Sequence, residues 1–464
     1  MSETWANGLD LDLDVSGSRV RQRLEAGLRA AIRSGRLAEG ARLPSSRALA
    51  VDLGIARNTV AEVYAQLTAE GWLTARSGSG TTVAPRSGPA SVPDQEAAAT
   101  AAHPRYDLWP GEPDLSAFPR GEWLTAARKA LADAPDAVFG YGDPRGLPAL
   151  RGALAEYLAR ARGVVTMPGG DNIVICSGFA HGLEVICRAL RAAGAGTVAV
   201  EEYGHPGHHA IIARQGLRTR LLPLDARGAV IGAAGDADAV LLTPAHQFPL
   251  GMTLAPDRRR SFAEWGGTVI EDDYDGEFRY DRQPVGAMQA LAPDRVIYCG
   301  TASKSLAPGV RLAWLVIPPS LLDGVTAALS AGPSALDQLT LAEFVTSGAY
   351  DRQIRRARLV YRHRRDRLIS ALDPLGLRVG GIAAGLHVVV DLPALAAERR
   401  AVARAEERGL ALSGLGWYAF AASSASGADD AGVPTRAGLV IGYARPPEHA
   451  YTTAIARLCA VLTP

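Results

Sequence analysis

Apolar residues recur at spacings of four near the N-terminus of the chain. They are Val20, Leu24, Leu28 and Ile32. This spacing, with arginines on the other faces, is typical of an amphipathic helix that buries one stripe. Two more helices are predicted over residues 47–53 and 57–70, with Gly54 between them. The first part of the chain is therefore expected to be a small helical module.

A short strand-like pattern follows the third helix. Residues 72–75 and 81–83 predict two strands, joined by a glycine-rich turn. Two helices joined by a tight turn and followed by a hairpin form a winged helix-turn-helix, whose second helix presents its N-terminal residues to base edges. Arginine and asparagine bond base edges bidentately, and glycine lets the wing backbone approach phosphate. The candidate DNA contacts are Arg47, Arg57, Asn58, Thr59 and Gly78.

Charge supports this interpretation only locally. The chain of 464 residues has a net charge of +1, but residues 15–85 hold ten arginines against five acids. A basic module behind an acidic N-terminal arm is a footprint of nucleic-acid binding. A helical docking domain with solvated arginines would have the same composition, so composition alone does not decide between them.

The remaining chain alternates short apolar strands with helical stretches. Predicted strands include residues 197–201, 239–243, 268–271, 296–299 and 312–317. This alternation predicts an α/β domain with a mostly parallel sheet, in which ligands bind at the carboxyl ends of strands. A proline-containing, small-residue linker over residues 86–104 is expected to separate domain 1–85 from domain 105–464.

Polar side chains follow the predicted strands, and one of them is rare in this chain. Lys304 is one of only two lysines, with Lys129, and it lies in a polar turn after a strand. Asp272 and Tyr274 follow another strand, and Arg311 lies seven residues beyond Lys304. A lysine can form a Schiff base with an aldehyde, a carboxylate pairs with a pyridinium nitrogen, and arginine holds phosphate. This set predicts pyridoxal 5′-phosphate as cofactor, although each residue alone has an ordinary structural explanation.

Both halves resemble known families. Gly40-Ala-Arg-Leu-Pro-Ser-Ser-Arg, Leu-Gly-Ile-Ala-Arg-Asn-Thr-Val and Tyr64-Ala-Gln-Leu-Thr-Ala-Glu-Gly-Trp resemble the DNA-binding domain of GntR-type bacterial regulators. Tyr141-Gly-Asp-Pro-Arg-Gly, Thr243-Pro-Ala-His-Gln-Phe-Pro, Glu271-Asp-Asp-Tyr-Asp and Thr301-Ala-Ser-Lys-Ser resemble fold-type I aminotransferases. The fusion is similar to the MocR subfamily of bacterial regulators.

The resemblance implies a particular cofactor shell. Lys304 is the expected Schiff-base lysine, Asp272 the partner of the ring nitrogen and Tyr274 that of the 3′ oxygen. The other implied cofactor residues are Ser177, Gly178, Phe179, His205, Gln247, Thr301, Ser303 and Arg311, with Tyr141 supplied by the partner subunit.

Two departures from the aminotransferase pattern stand out. His205 takes the place of a stacking tyrosine, and Val440 takes that of the arginine that binds a substrate carboxylate. Arg436 and Arg445 lie nearby, and neither is assigned to a carboxylate. A metal at the histidines around His205 is less favoured than stacking or a solvated loop, since no Cys or carboxylate is spaced with them. No metal is expected.

These observations favour a DNA-binding transcriptional regulator. The expected effector is pyridoxal 5′-phosphate, or an amine or amino acid sensed through Lys304, with target genes in vitamin B6 or amine and amino-acid metabolism. A homodimer, with domain exchange through the linker, would bind a double-stranded operator of repeated half-sites.

Two alternatives remain: an aminotransferase enzyme, and a domain that only dimerises. The four scattered cysteines and the absence of a long apolar span favour a cytoplasmic protein without membrane partners.

Overall fold

The chain divides into two compact units, Met1–Ala102 and His103–Pro464. The computed structural model describes residues 19–76, 80–85, 106–281, 285–330, 332–420 and 436–463. Gly78, the predicted wing contact, lies outside these residues. Within them, no helix combines the length and the apolar run needed to cross a bilayer.

The small unit holds the predicted three helices and hairpin. Its elements are α1 (Val20–Arg33), α2 (Ser46–Asp52), α3 (Arg57–Ala69), β1 (Leu73–Arg76) and β2 (Gly80–Val83). The hydroxyl of Ser45 accepts a hydrogen bond from the backbone N–H of Ala48, at 3.1 Å, and so caps α2. The strands pair antiparallel, with Leu73 opposite Val83.

One apolar cluster holds this unit together. Leu24 and Leu28 of α1 pack with Val60 and Leu67 of α3 and with Leu73 of β1, all buried. The four-residue spacing in the sequence therefore marks the buried stripe. The apolar face of α3 is buried in this core. Its first residues, Arg57 and Asn58, are exposed and remain available to a partner.

The large unit alternates helices and strands as predicted. Its helices are α4 (Arg120–Asp133), α5 (Pro148–Arg162), α6 (Phe179–Ala192), α7 (Pro206–Arg214), α8 (Pro256–Glu264), α9 (Pro319–Ala328), α10 (Ala335–Thr346), α11 (Ala349–Leu372), α12 (Leu395–Glu407) and α13 (Glu448–Leu462). Its strands are β3 (Tyr106–Asp107), β4 (Ile173–Cys176), β5 (Thr197–Glu201), β6 (Arg218–Leu222), β7 (Leu224–Asp225), β8 (Gly228–Ala229), β9 (Ala239–Leu242), β10 (Thr268–Asp272), β11 (Val296–Thr301), β12 (Ala313–Val316), β13 (Val379–Gly380), β14 (His387–Leu392), β15 (Leu410–Ala411), β16 (Ser413–Gly414) and β17 (Ala437–Gly442).

A seven-stranded sheet forms the centre of the large unit. Its strand order is β4-β12-β11-β10-β9-β5-β6. All adjacent pairs are parallel except those of β12, which runs antiparallel to β11 and β4. The carboxyl ends of β5, β9, β10 and β11 therefore meet at one edge.

Alternate residues of the central strands enter different cores. Ile173 and Ile175 of β4 belong to a cluster with Leu154, whereas Val174 and Cys176 belong to another. Side chains alternate across a strand, so these clusters lie on opposite faces of the sheet. Burial on both faces accounts for the continuous apolar runs seen in the sequence.

A second, antiparallel sheet has the order β13-β14-β17-β16. It packs through a separate apolar cluster that includes Val388, Leu439, Ala405, Tyr451 and Leu458. The pair β15–β3 is parallel, with Leu410 opposite Tyr106. The segment that enters the large unit is thereby attached to the part of the fold around the second sheet.

A buried ion pair fixes the end of β10. Arg162 donates through Nε and Nη2 to the two carboxylate oxygens of Asp273, at 2.7 and 2.8 Å, and the hydroxyl of Tyr298 donates to the same carboxylate at 2.8 Å. The side chains of Arg162 and Asp273 are 0% and 1% exposed. Removing one partner of such a pair leaves an uncompensated buried charge.

We predict that Arg162→Met lowers the free energy of unfolding by about 3–5 kcal/mol, because it leaves the Asp273 carboxylate without its cation. Chemical denaturation of both proteins measures the difference. Arg160→Met is the matched control, since the Arg160–Asp351 pair is largely exposed on the arginine side and should contribute less than about 1 kcal/mol. Equal losses in the two variants would contradict the prediction.

Candidate functional site

A cavity of about 540 Å³ opens at the carboxyl edge of the seven-stranded sheet. Strand ends and the turns after them build its wall. Among its lining residues are Phe179, Glu201, His205, Asp272, Tyr274, Thr301, Ser303, Lys304 and Arg311. Residues that are far apart in the sequence thus converge because parallel strands end at one edge.

Lys304 and Asp272 both line this cavity and interact electrostatically. Asp272 ends β10, and Lys304 lies in the turn after β11. Burial lowers the pKa of Lys304 below its usual range, and the charge of Asp272 opposes that shift. Burial likewise raises the pKa of Asp272, opposed by the charge of Lys304. The Nζ atom of Lys304 donates to the carbonyl oxygen of Gly111 at 2.5 Å.

Tyr274 follows two residues after Asp272 and lines the same cavity. Its hydroxyl lies 3.1 Å from Nδ1 of His246, which in turn lies 2.8 Å from a carboxylate oxygen of Asp275. Burial raises the pKa of Tyr274 well above its usual range. The phenol is therefore protonated at neutral pH and can donate a hydrogen bond.

The start of α6 and the turn after β11 form a polar corner. Gly178 has φ +104°, and a Cβ placed on it would lie 3.3 Å from the guanidinium of Arg311. Among the described residues, no acidic side chain pairs with Arg311. The hydroxyls of Thr301 and Ser303 lie 2.9 Å apart beside it. A helix N-terminus, an arginine without an anionic partner and hydroxyls together suit a phosphate group.

These residues fit pyridoxal 5′-phosphate. The corner at Gly178 and Arg311 has the donors that a phosphate needs, and the glycine leaves the space that a side chain would fill. Asp272 offers a buried carboxylate for a ring nitrogen, and Lys304 offers a primary amine. The donor set matches the chemistry expected from the sequence.

Four residues of the expected shell are not among the lining residues of the cavity: Ser177, Gly178, Gln247 and Tyr141, of which Gly178 still contacts the site through its closeness to Arg311. Gln247 does not line the cavity, because its amide nitrogen donates to the carbonyl oxygens of Tyr203 and Phe248 at 2.9 and 2.7 Å. Ser177 precedes Gly178, and its N–H donates to Nδ1 of His181 at 3.1 Å. Tyr141 is fully exposed on this chain, away from the cavity. Its expected role in the partner subunit stays a prediction.

The histidines near the cavity are uncharged at neutral pH. Nδ1 of His205 accepts from the N–H of Gly207 at 3.1 Å and caps α7. Burial lowers the pKa of His205, that of His208 to about 3 and that of His209 to about 4. His205 and His208 both line the cavity, with ring centroids 5.0 Å apart. His205 thus lines the cavity, and its stacking role stays a prediction.

A different group of residues has metal-like spacing. Among the described residues, ligand atoms of His246, Asp275 and His387 lie within 4.8 Å of one another, and all three side chains are buried. Nε2 of His387 lies 2.9 Å from the carbonyl oxygen of Pro249, and His246 contacts Asp275. Hydrogen bonds within the protein thus account for these groups.

Glu201 is a site residue that the sequence reasoning did not select. It ends β5 and lines the cavity, and its carboxylate accepts hydrogen bonds from the hydroxyl and the N–H of Thr243, at 2.6 and 3.2 Å. Burial raises its pKa to about 7. An acid that ends a buried strand was the signal that could have identified it, as it did for Asp272.

The two arginines considered near the late strand have different surroundings. Arg445 lines the cavity, and its guanidinium contacts carboxylate oxygens of Asp107 at 2.9 Å and Glu112 at 3.1 Å. Arg436 instead pairs with Asp391 at 3.0 Å beside another cavity. Val440 is fully buried among apolar side chains.

The predicted DNA contacts in the small unit are accessible. Arg47, Arg57 and Asn58 are exposed, and Thr59 is half-buried. Arg57 is the first residue of α3. Within the described part of this unit, no carboxylate pairs with Arg47 or Arg57. Their guanidinium groups can therefore meet an anionic partner.

Two family models match the chain. Residues 20–83 match the gntR family of bacterial regulatory proteins, and residues 114–415 match aminotransferase class I and II. In solved structures, the large unit is similar to a kynurenine aminotransferase of Pyrococcus horikoshii, with a TM-score of 0.66 and 24% identity over 77% of this chain and 90% of that one. An archaeal alanine:glyoxylate aminotransferase gives 0.67 and 22% over the same shares.

Relatives with both halves are regulators. The pyridoxine biosynthesis transcriptional regulator PdxR of Corynebacterium glutamicum is 34% identical over 84% of this chain and 87% of its own length. A probable rhizopine catabolism regulatory protein, MocR of Rhizobium meliloti, is 34% identical over 77% of each chain. The regulator TauR of Rhodobacter capsulatus is 32% identical over 78% of this chain and 81% of its own length.

The two halves define a GntR-type DNA-binding domain followed by an aminotransferase-like domain of fold type I. The chain belongs to the MocR subfamily of GntR-type transcriptional regulators. The aminotransferase class I and II fold implies pyridoxal 5′-phosphate as its cofactor. The family resemblance inferred from the sequence is confirmed.

We predict that Glu201→Gln becomes more stable relative to the unchanged protein as pH rises from about 4.5 to about 7. In that range the unfolded chain ionises Glu201 while the folded protein keeps the carboxyl protonated, so the unchanged protein loses stability that the glutamine variant does not lose. The relative gain should be ~1–3 kcal/mol between acidic and alkaline buffer. Denaturant titrations at several pH values measure it, with the exposed Glu264→Gln as control. A pH-independent difference would contradict the prediction.

Proposed function

We propose that the protein is a transcriptional regulator whose DNA affinity depends on pyridoxal 5′-phosphate at Lys304, and on an amine or amino acid that reacts there. Domain 1–85 binds the operator, residues 86–104 form the linker, and domain 105–464 binds the cofactor and dimerises. The observation that carries this proposal is the convergence of Lys304, Asp272 and Arg311 on one cavity in a chain that also has a GntR-type domain.

Each cavity residue has a distinct task toward the cofactor. Arg311, the backbone around Gly178 and the hydroxyls of Thr301 and Ser303 would hold the phosphate. Asp272 would pair with the ring nitrogen, where the positive charge of Lys304 favours the ionised form of its carboxyl. When bound, the cofactor supplies an aldehyde carbon that a primary amine attacks.

Tyr274 and the aromatic residues orient the ring. The Tyr274 hydroxyl, which contacts the His246–Asp275 pair, would donate to the ring 3′ oxygen. Phe179 and His205 lie along the cavity wall and limit the access of water to the ring. Ser177 supports the turn into α6, and Gln247 supports the wall from behind.

A homodimer would present two small domains to repeated half-sites of double-stranded DNA. Tyr141 would then complete the phosphate site of the partner subunit. Arg57 and Asn58 would read base edges, and Arg47, Thr59 and Gly78 would hold the backbone or an adjacent base. PdxR is a regulator of pyridoxine biosynthesis, which supports target genes in vitamin B6 metabolism; amine or amino-acid metabolism is the alternative gene set.

An aminotransferase activity is the second candidate. The complete set of Lys304, Asp272, Tyr274 and Arg311 favours it. The burial of Val440 among apolar groups, with both nearby arginines in ion pairs, opposes it for amino-acid substrates. Sustained turnover of an amino acid and a keto acid would favour the enzyme over the regulator.

We expect Arg57→Ala to reduce specific operator binding at least about tenfold, because a bidentate base contact discriminates by about 1–3 kcal/mol. Fluorescence anisotropy with the upstream DNA of its own gene, at fixed salt, measures the loss. Arg21→Ala is the control, since Arg21 already pairs with Glu25. Unchanged affinity in Arg57→Ala would exclude this helix from recognition.

We expect Lys304→Ala to remove the visible absorption band that pyridoxal 5′-phosphate gives with the unchanged protein, and to remove the effect of the cofactor on DNA binding. Lys129→Ala is the matched control, because Lys129 is the other lysine and lies in an exposed pair with Glu343. A DNA response to the cofactor that persists in Lys304→Ala would overturn the proposed sensing mechanism.

A further inference from the structure

The mouth of the cofactor cavity has its own set of side chains. Trp109, Glu112, Trp417 and Arg445 line it beyond the residues that fit the cofactor. We name these four residues the outer rim. Any effector that reaches Lys304 with an amine has to place the rest of its structure against this rim.

The arginine of the outer rim is already paired with carboxylates. Arg445 contacts Glu112, which also lines the cavity, and Asp107, which is not among the lining residues. The positive charge of Arg445 is therefore compensated within the protein. Glu201 and Asp272 place two more carboxyl groups in the wall of the same cavity. An incoming carboxylate would have to compete with two carboxylates for one cation.

The other cations of the cavity would be engaged by the bound cofactor. Among the described lining residues, Lys304 and Arg311 are the remaining lysine and arginine. They would hold the cofactor aldehyde and phosphate. His205, His208 and His209 are neutral at neutral pH because burial lowers the pKa of each. They provide no positive charge for an effector carboxylate.

The wall behind the rim is apolar. Val440 packs with Tyr203, Leu250 and Tyr418, and Tyr203 and Tyr418 also line the cavity. This side of the cavity therefore offers no guanidinium. A carboxylate placed there would lose its hydration without gaining a charged partner, which costs affinity.

The aromatic residues of the rim favour a cation. The rings of Trp109 and Trp417 meet edge to face, with centroids 6.4 Å apart and planes at 73°. Tryptophan faces attract ammonium groups. Together with the carboxylate of Glu112, these rings suit a cation better than an anion.

We propose that the effector is a diamine, in which one primary amine reaches the cofactor and a distal ammonium binds at the outer rim, with no carboxylate. This inference rests on the proposed function, because it assigns a chemical class to the effector of the same site. It narrows the amine or amino acid expected there to compounds of net positive charge. The selectivity follows from Glu112 and from the neutralised Arg445.

Three probes of equal chain length test the charge preference. Cadaverine has two ammonium groups, lysine adds one carboxylate to it, and pentylamine lacks the distal ammonium. Titration of each into the full-length protein loaded with pyridoxal 5′-phosphate, followed by visible absorption, gives the affinities. We expect cadaverine to bind about tenfold tighter than lysine, since the carboxylate of lysine would lose hydration without gaining a charged partner. Lysine binding as tightly as cadaverine would overturn the proposal.

The Glu112→Gln variant assigns the preference to the outer rim. We expect it to weaken cadaverine about threefold to fivefold, the effect of one partly exposed charge pair, and to leave pentylamine unchanged. Glu407→Gln, an exposed residue of α12, should change neither. An equal loss for cadaverine and pentylamine would mean that Glu112 supports the fold rather than selecting charge, and would overturn the proposal.

The experiments distinguish failure of the proposed function from failure of the diamine inference. Without any absorption band on adding pyridoxal 5′-phosphate, the proposed function fails, and the effector class fails with it. With a band but with lysine favoured over cadaverine, only the diamine inference fails. Operator affinity measured with and without cadaverine completes the test, because an effector has to change it. If cadaverine binds but leaves the DNA affinity unchanged, the diamine is a ligand and not an effector, and the proposal is contradicted.

Discussion

The cofactor cavity depends on the buried ion pair between Arg162 and Asp273. Asp273 lies between Asp272 and Tyr274, and successive side chains of an extended segment point to opposite sides. Because Arg162 and Tyr298 hold Asp273 from behind, its two neighbours face the cavity. Gly276 belongs to the same arrangement, since a Cβ there would meet both partners of the pair. A helix end thus aligns a strand end with which it shares no sequence proximity.

The large unit buries several carboxyl groups, of which Glu201 and Asp272 line the cavity. Burial raises the pKa of Glu201, Glu271 and Glu277 to about 7 each, and that of Asp272 also rises. Such groups lower the stability of the folded state as pH rises towards their folded pKa, because the unfolded chain ionises first. A cofactor with a protonated ring nitrogen supplies positive charge to this region. Cofactor binding and folding stability are therefore linked, beyond the contacts that the ligand itself makes.

Local patterns in the sequence were sufficient to predict the helices of the small domain, the α/β alternation and the residues at strand ends. Lys304 and Asp272 could be selected because each follows an apolar run and carries distinctive chemistry. The position of Gln247 could not be predicted, because it depends on hydrogen bonds to the carbonyl groups of Tyr203 and Phe248, which no spacing in the sequence reveals. The pairing of Arg445 with Asp107 and Glu112 joins segments more than 300 residues apart. The antiparallel direction of β12 was likewise not predicted from the sequence, because no local pattern marks it.

The contact between Lys304 and the carbonyl oxygen of Gly111 connects cofactor chemistry to the entrance of the large domain. Gly111 follows β3 by four residues, and β3 is the first strand after residues 86–104 in the chain. A ligand that occupies the amine removes a donor from that carbonyl, so the entering segment and the ligand compete for one nitrogen atom. Competition of this kind is reciprocal. The ligand weakens the contact between the entering segment and Lys304, and that contact weakens ligand binding by the same factor. Lys304 thus connects the entering segment to the ligand site, in addition to its role in the chemistry.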